Sequence, residues 1–148
     1  MISPVFGSHV VLTLVATASF LWVLLELMKP SRRRVKRAKV AALFGVACLL
    51  TSWIFGGMYF STSIGSMAST AQQVQAQALV AVQEYLFLLL LFLAILFTGL
   101  LFQFEPLLME HQQTKGLFLV ICCFVVLLGL IIAGLNYHAA AAVAEVAL

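Results

Sequence analysis

The sequence predicts an all-α integral membrane protein, a bundle of four transmembrane helices with both termini on the outer, non-cytoplasmic side. Of its 148 residues, 64% are hydrophobic and 9% charged, whereas about a quarter of the residues are charged in a soluble domain. The mean hydropathy is +1.16. Four apolar segments of about twenty residues are each long enough to cross a hydrocarbon core of roughly 30 Å. A basic segment, residues 29–39, separates the first two.

The basic segment predicts the topology, because it contains seven of the eight Lys and Arg residues of the chain. A short loop rich in Lys and Arg between two spans stays on the cytoplasmic side. Anionic headgroups also attract such a loop, by about 1 kcal/mol per basic residue. We therefore expect a cytoplasmic loop over 29–39 that binds the bilayer surface, and no nucleic-acid partner. The headgroup and topology residues are Arg32, Arg33, Arg34, Lys36, Arg37 and Lys39.

The first span is predicted over residues 4–28, with one polar stripe at helical spacing. Such a stripe faces other helices rather than lipid. The stripe comprises Ser8, His9, Thr13 and Thr17, and we expect Leu12, Phe20 and Val23 on the opposite face. Near the end of this span, Glu26 and Lys29 are spaced to pair across one turn or to reach water.

The second span is predicted over residues 40–60, and small residues recur along it every three or four positions. A seam of this kind lets a neighbouring membrane helix approach closely. The seam comprises Ala41, Gly45, Cys48, Ser52 and Gly56. Residues 61–82 form the outer connection. Its second half has high helix propensity, which predicts either a short interfacial helix or an extension of the third span.

The third span is predicted over residues 83–104, followed by a cytoplasmic loop over 105–115. The fourth span covers residues 116–137, with an outer tail over 138–148. This topology is typical of a multi-pass protein of a prokaryotic inner membrane.

A candidate site lies at the outer ends of the spans, where the sequence places His9, Met58, Glu84 and His138 at one depth. Ionisable groups at membrane depth are costly and often functional. Neutral imidazole with carboxylate suits copper, zinc or non-haem iron, and the thioether favours Cu(I). Two histidines on different helices can hold a haem, and a quinol could release protons to His and Glu. The plainer interpretation is one hydrogen bond for His9, a helix-capping role for Glu84 and solvation for His138.

Three functions follow from these observations. The first is a small non-catalytic subunit, an accessory or assembly component of a larger membrane complex, in contact with other membrane subunits or with its own copies. The alternative is a membrane redox protein that binds metal, haem or quinol through the outer His/Glu cluster. The third is an oligomeric transporter or channel. The sequence contains no recognisable catalytic motif, so we expect no enzymatic activity from this chain alone.

Overall fold

The computed structural model describes the backbone of residues 4–59 and 71–146, and side chains within 7–57, 81–108 and 111–136. The described chain is helical apart from short connections. The helices are α1 (Pro4–Met28), α2 (Arg32–Tyr59), α3 (Ala71–Gln103), α4 (Glu105–Glu110) and α5 (Gln112–Val146).

Four of these helices are long and apolar enough to cross a membrane, which confirms the predicted all-helical fold class with four candidate spans. The candidate spans are Gly7–Met28, Arg32–Gly57, Ala81–Gln103 and Gln112–Asn136. At 1.5 Å per residue, α3 and α5 are each about 50 Å long, because they contain 33 and 35 residues. Both therefore exceed the hydrocarbon thickness of roughly 30 Å.

The basic segment differs from the expected loop, because most of it is the start of α2. The backbone N–H of Arg34 donates to Ser31 Oγ at 3.3 Å, so Ser31 caps the N-terminus of α2. Pro30 precedes this cap and separates α2 from α1. The link between the two helices is consequently three residues long, 29–31.

The other expected connections also contain helix. Residues 71–83 belong to α3, which is the second of the two alternatives for the outer connection. Residues 105–115, expected as a loop, contain α4 and the first turn of α5. The backbone of α5 continues through the expected tail to Val146. The first half of the outer connection, residues 61–70, lies outside the described residues.

The four long helices follow the order α1–α2–α3–α5 around the bundle, since α1 packs on α2 and α5 while α3 packs on α5 and α2. The diagonal neighbours α1 and α3 meet through ring contacts, His9 with Phe87 and Phe20 with Phe97. We call the end of the bundle that carries residues 29–39 the basic end, and the opposite end the far end.

The centre of the bundle is organised by Phe20, which is 1% exposed and contacts all three other long helices. Its ring lies edge-on to Phe97 of α3, at a centroid distance of 6.2 Å. Cys122 of α5 donates its S–H to the carbonyl of Phe20 at 3.4 Å. A Cβ added at Gly45 of α2 would lie 2.8 Å from the Phe20 ring. The glycine therefore makes room for the aromatic side chain.

The small-residue seam of α2 packs against α1 inside the chain. Gly45 faces Phe20, and Gly56 faces His9, whose Nδ1 would lie 3.0 Å from an added Cβ. The polar stripe of α1 also faces the interior, as expected. Its predicted opposite face was wrong for Phe20 and Val23, which are both buried. Residues 9, 13, 17 and 20 follow each other every three or four positions, so they share one side of the helix.

Candidate functional site

Five buried polar side chains form a layer at the far end of the bundle. We call this set the far-end polar layer: His9, Thr13, Ser52, Gln83 and Asn136. Their common depth follows from the antiparallel packing of α1 on α5, which places Thr17 against Gly129. His9 lies eight residues from Thr17 and Asn136 seven from Gly129, so both stand about 10–12 Å farther toward the far end.

His9 is held by α2 through its Nδ1 nitrogen. This atom lies 2.9 Å from the carbonyl oxygen of Ser52 and 2.9 Å from the Ser52 hydroxyl. The hydroxyls of Thr13 and Ser52 both lie 2.9 Å from the His9 carbonyl oxygen and 2.9 Å from each other. The imidazole ring packs against Phe87 with the centroids 5.2 Å apart. His9, Thr13 and Ser52 therefore form one hydrogen-bonded contact between α1 and α2.

The bond to the Ser52 carbonyl corresponds to one tautomer of a neutral His9. A carbonyl oxygen can only accept, so in this bond Nδ1 carries the proton and the lone pair of the ring is on Nε2. In the other tautomer Nδ1 accepts from the Ser52 hydroxyl, which lies at the same distance of 2.9 Å. In metal-binding histidines a bond from one ring nitrogen to a carbonyl orients the other nitrogen toward the ligand. The first tautomer thus serves helix packing and leaves one nitrogen suited to accept a bond.

The second polar contact of the layer joins α3 to α5. Gln83 Nε2 donates to Asn136 Oδ1, and the two side chains are 8% and 1% exposed. The Asn136 Nδ2 is buried and has no hydrogen-bond partner among the described residues. Carboxamides within membrane helices bond across helix interfaces because hydrocarbon offers them no other partner.

The four residues predicted as a cofactor or metal site are not brought together by any described contact. His9 is in the polar layer, but among the described side chains no ion pair joins it to Glu84. Glu84 lies beside Gln83 on α3 and is partly exposed. The side chains of Met58 and His138 lie outside the described residues. Over the described part of the chain, no group of three or more His, Cys, Asp or Glu residues is placed to hold a metal ion.

Comparison with protein-family models, with curated proteins and with solved structures gave no match.

A buried carboxylate lies at the basic end. Glu26 of α1 is 6% exposed and accepts a hydrogen bond from Arg37 Nη2 of α2 at 3.4 Å. It also forms ion pairs with Arg37 Nε at 3.2 Å and with Arg34 Nε at 3.9 Å. The sequence suggested a pairing with Lys29 one turn along α1 or a contact with water. The structure instead uses Glu26 to hold α1 to α2 across the three-residue link.

A second ion pair at the basic end joins α2 to the start of α4. Lys39 donates to Glu105 and stands over the Phe102 ring, 4.7 Å from its centroid. The hydrogen bond from the ammonium lowers the pKa of the Glu105 carboxyl below its ordinary value of 4.5. Among the six predicted headgroup residues, Arg34, Arg37 and Lys39 thus have internal partners. Arg32, Arg33 and Lys36 are exposed on α2.

Sequence reasoning missed the roles of Ser52, Gln83 and Asn136. Ser52 was considered only as a small residue of the seam, and Gln83 only as the start of a span. Asn136 was not singled out, although an amide within an apolar segment is a signal for an interhelical contact. Gln83 and Asn136 are both carboxamides near the far ends of their spans, which marks each as a candidate for an interhelical contact without identifying its partner.

Proposed function

We propose that this protein is a non-catalytic accessory or assembly subunit of a larger membrane complex. The observation that carries the proposal is that most of the buried polar side chains of the described spans bond across helix interfaces, while Thr17 and Thr98 bond within their own helices. His9 bonds to Ser52, Gln83 to Asn136, and Glu26 to Arg37. Polar groups used in this way stabilise a helix bundle and do not form an open site for a substrate.

The contact with other subunits is proposed on the outward faces of α3 and α5. The small-residue seam is already occupied by α1, so a partner must pack on large side chains. Phe92 and Phe124 stand at the midpoints of their spans and are 64% and 58% exposed. Aromatic side chains are enriched where proteins meet, and packing is what drives association between helices in lipid.

The proposed orientation places the basic end in the cytoplasm and both termini on the other side. All eight Lys and Arg residues lie at the basic end, since Lys115 is in the first turn of α5 and the other seven lie within residues 29–39. The positive-inside rule assigns such an end to the cytoplasm. We propose a prokaryotic cytoplasmic membrane as the location.

The test is the mass of the full-length tagged chain after extraction from its own membrane in mild detergent. Native mass spectrometry should give a heteromeric assembly of fixed stoichiometry, which Phe92→Ala with Phe124→Ala disrupts. Phe44→Ala, an exposed ring on α2, is the matched control and should leave the assembly intact. A bare chain of 16.1 kDa would contradict the proposal. Multiples of that mass would favour the oligomeric transporter or channel instead.

One observation favours a second candidate, a cofactor-binding or quinol-binding protein. His9 Nδ1 lies 2.9 Å from the Ser52 carbonyl oxygen, and the tautomer that donates to this carbonyl has Nε2 as the nitrogen able to bind a metal or accept a proton. Metal analysis and the visible absorption spectrum of the purified protein test this candidate directly.

A further inference from the structure

We propose a specific site for one anionic phospholipid in the groove between α1 and α2 at the basic end. The groove is open to the outside of the bundle and has a volume of about 760 Å³, within the range of roughly 300–1,000 Å³ that small-molecule sites occupy. This binding site goes beyond the accessory role and does not depend on it.

The walls of the groove suit an acyl chain. Val15 and Trp22 line it from α1, and Val40 and Phe44 line it from α2. All four are exposed, by 38% to 68%, so they offer apolar contact to a molecule lying along the bundle. Val15 to Trp22 spans about 10 Å along the helix axis. The groove therefore runs from the basic end toward the membrane interior, in the direction of a lipid tail.

The polar end of the groove suits a phosphate. Lys36 and Arg37 line it there, on the first turns of α2. Lys36 is exposed, and the Arg37 side chain is 59% exposed although its Nε bonds to Glu26. A guanidinium has five N–H donors, and the described bonds to Glu26 use Nε and Nη2. Arg33 lies one turn before Arg37 on the same face and adds a third positive charge.

Charge selects the lipid. The acyl chains of a neutral phospholipid would fill the apolar groove equally well. However, its headgroup carries a cation that would compete with Lys36 and Arg37 for its phosphate. Each Lys or Arg close to an anionic surface contributes roughly fivefold to binding. A phospholipid with a net negative headgroup is therefore the occupant that both parts of the groove match.

The experiment uses the two tryptophans of the chain as probes. Trp53→Phe leaves Trp22, which lines the groove, and Trp22→Phe leaves Trp53, which is 45% exposed on α2 and outside it. Each variant is reconstituted in phosphatidylcholine containing a small fraction of acyl-brominated phosphatidylglycerol or of acyl-brominated phosphatidylcholine. We expect the brominated anionic lipid to quench Trp22 several times more strongly than the brominated neutral lipid, with equal quenching of Trp53.

Adding Lys36→Gln to the Trp22 probe should reduce the anionic preference by about fivefold. Lys115→Gln removes the same charge from α5 at the same end, outside the groove, and should preserve the preference. Equal quenching of Trp22 by both lipids would overturn the proposal. So would an unchanged preference in Lys36→Gln, or an equal loss in Lys115→Gln, since either would indicate diffuse attraction to the charged surface. Lys36 is exposed, and an unchanged circular dichroism spectrum establishes that the variant is folded.

Discussion

At the scale of single residues, each polar side chain of the far-end polar layer contributes little to the stability of the bundle and does so through a hydrogen-bonded partner. An interhelical hydrogen bond in a membrane contributes about 0.6 kcal/mol on average and up to about 1.7. Leaving one partner buried alone costs more than removing both, because the remaining group loses its bond without regaining water. The pairs therefore specify which helices meet more than they determine total stability.

The Gln83–Asn136 pair gives the first prediction. Gln83→Leu and Asn136→Leu should each lower the free energy of unfolding by about 1 kcal/mol, because each leaves a buried amide without its partner. The double variant should be close to wild type. Thermal or denaturant unfolding in detergent micelles measures the stability of the wild type, the two single variants and the double variant, which together form a double-mutant cycle. Additive losses in the double variant would show that the two amides do not interact.

The contact of Gly129 with Thr17 gives the second prediction. A Cβ at Gly129 would lie 2.4 Å from Thr17 Oγ1, 3.1 Å from its Cγ2 and 3.3 Å from its Cβ. Thr17 must therefore shift, and moving its hydroxyl strains or breaks the bond from Oγ1 to the Thr13 carbonyl. Gly129→Ala should destabilise the bundle by about 1–3 kcal/mol. Gly134→Ala is the control on the same helix, since an added Cβ there meets nothing within 4 Å. It should be neutral or slightly stabilising, and an equal loss in both variants would contradict the packing.

At the scale of elements, hydropathy predicts four long apolar helices, which the structure contains, whereas the connections expected as loops are largely helical. Hydropathy locates such a helix because the free energy of inserting a segment into a membrane depends mainly on how apolar its own residues are. The basic segment was expected to be a loop because its charge predicts on which side of the membrane it lies but does not predict its secondary structure. Arg and Lys are good helix formers, and Ser31 supplies an N-cap, so helix α2 begins at Arg32. A serine at position 31, directly before a run of good helix formers, is a sequence signal for the start of a helix.

The hairpin of α1 and α2 gives the third prediction. Arg37→Gln should destabilise the protein by about 1–2 kcal/mol, because it leaves the buried Glu26 carboxylate with the more distant Arg34 alone. This figure is below that for a fully buried pair, since Arg37 is largely exposed. Lys36→Gln, the adjacent exposed residue, should change stability by less than about 0.5 kcal/mol. Glu26→Gln with Arg37→Gln should recover most of the loss, and a Lys36→Gln effect of equal size would contradict the assignment.

The junction of α2 and α4 gives a pH-dependent prediction. The pKa of Glu105 is lowered by its bond from Lys39, so the ion pair stabilises the folded state above the ordinary value of 4.5. That stability is lost as the pH falls through the lowered pKa. The free energy of unfolding of the wild type should therefore exceed that of Glu105→Gln by about 0.5–1 kcal/mol at neutral pH. The difference should vanish in acid, and Lys39→Met should abolish the same pH dependence. A difference that persists at low pH would exclude the ion pair as its source.

At the scale of the whole molecule, the order of the helices and the members of the polar layer could not be obtained from the sequence. Depth along each span could be counted, which is why His9 and Glu84 were placed at one level. Which side of a helix meets which neighbour depends on pairwise packing, such as Gly45 on Phe20 and Gly129 on Thr17. A single sequence does not record those pairings, so it marks Asn136 as a candidate for an interhelical contact but does not identify its partner.

The central claim is that His9 serves to join α1 to α2 and not to bind a cofactor. The most direct test is the metal and haem content per chain of full-length wild type and His9→Ala, both purified without a polyhistidine tag. We predict no stoichiometric cofactor in either protein, while His9→Ala unfolds more easily because the Ser52 contact is lost. One metal ion or haem per wild-type chain that is absent from His9→Ala would contradict the claim.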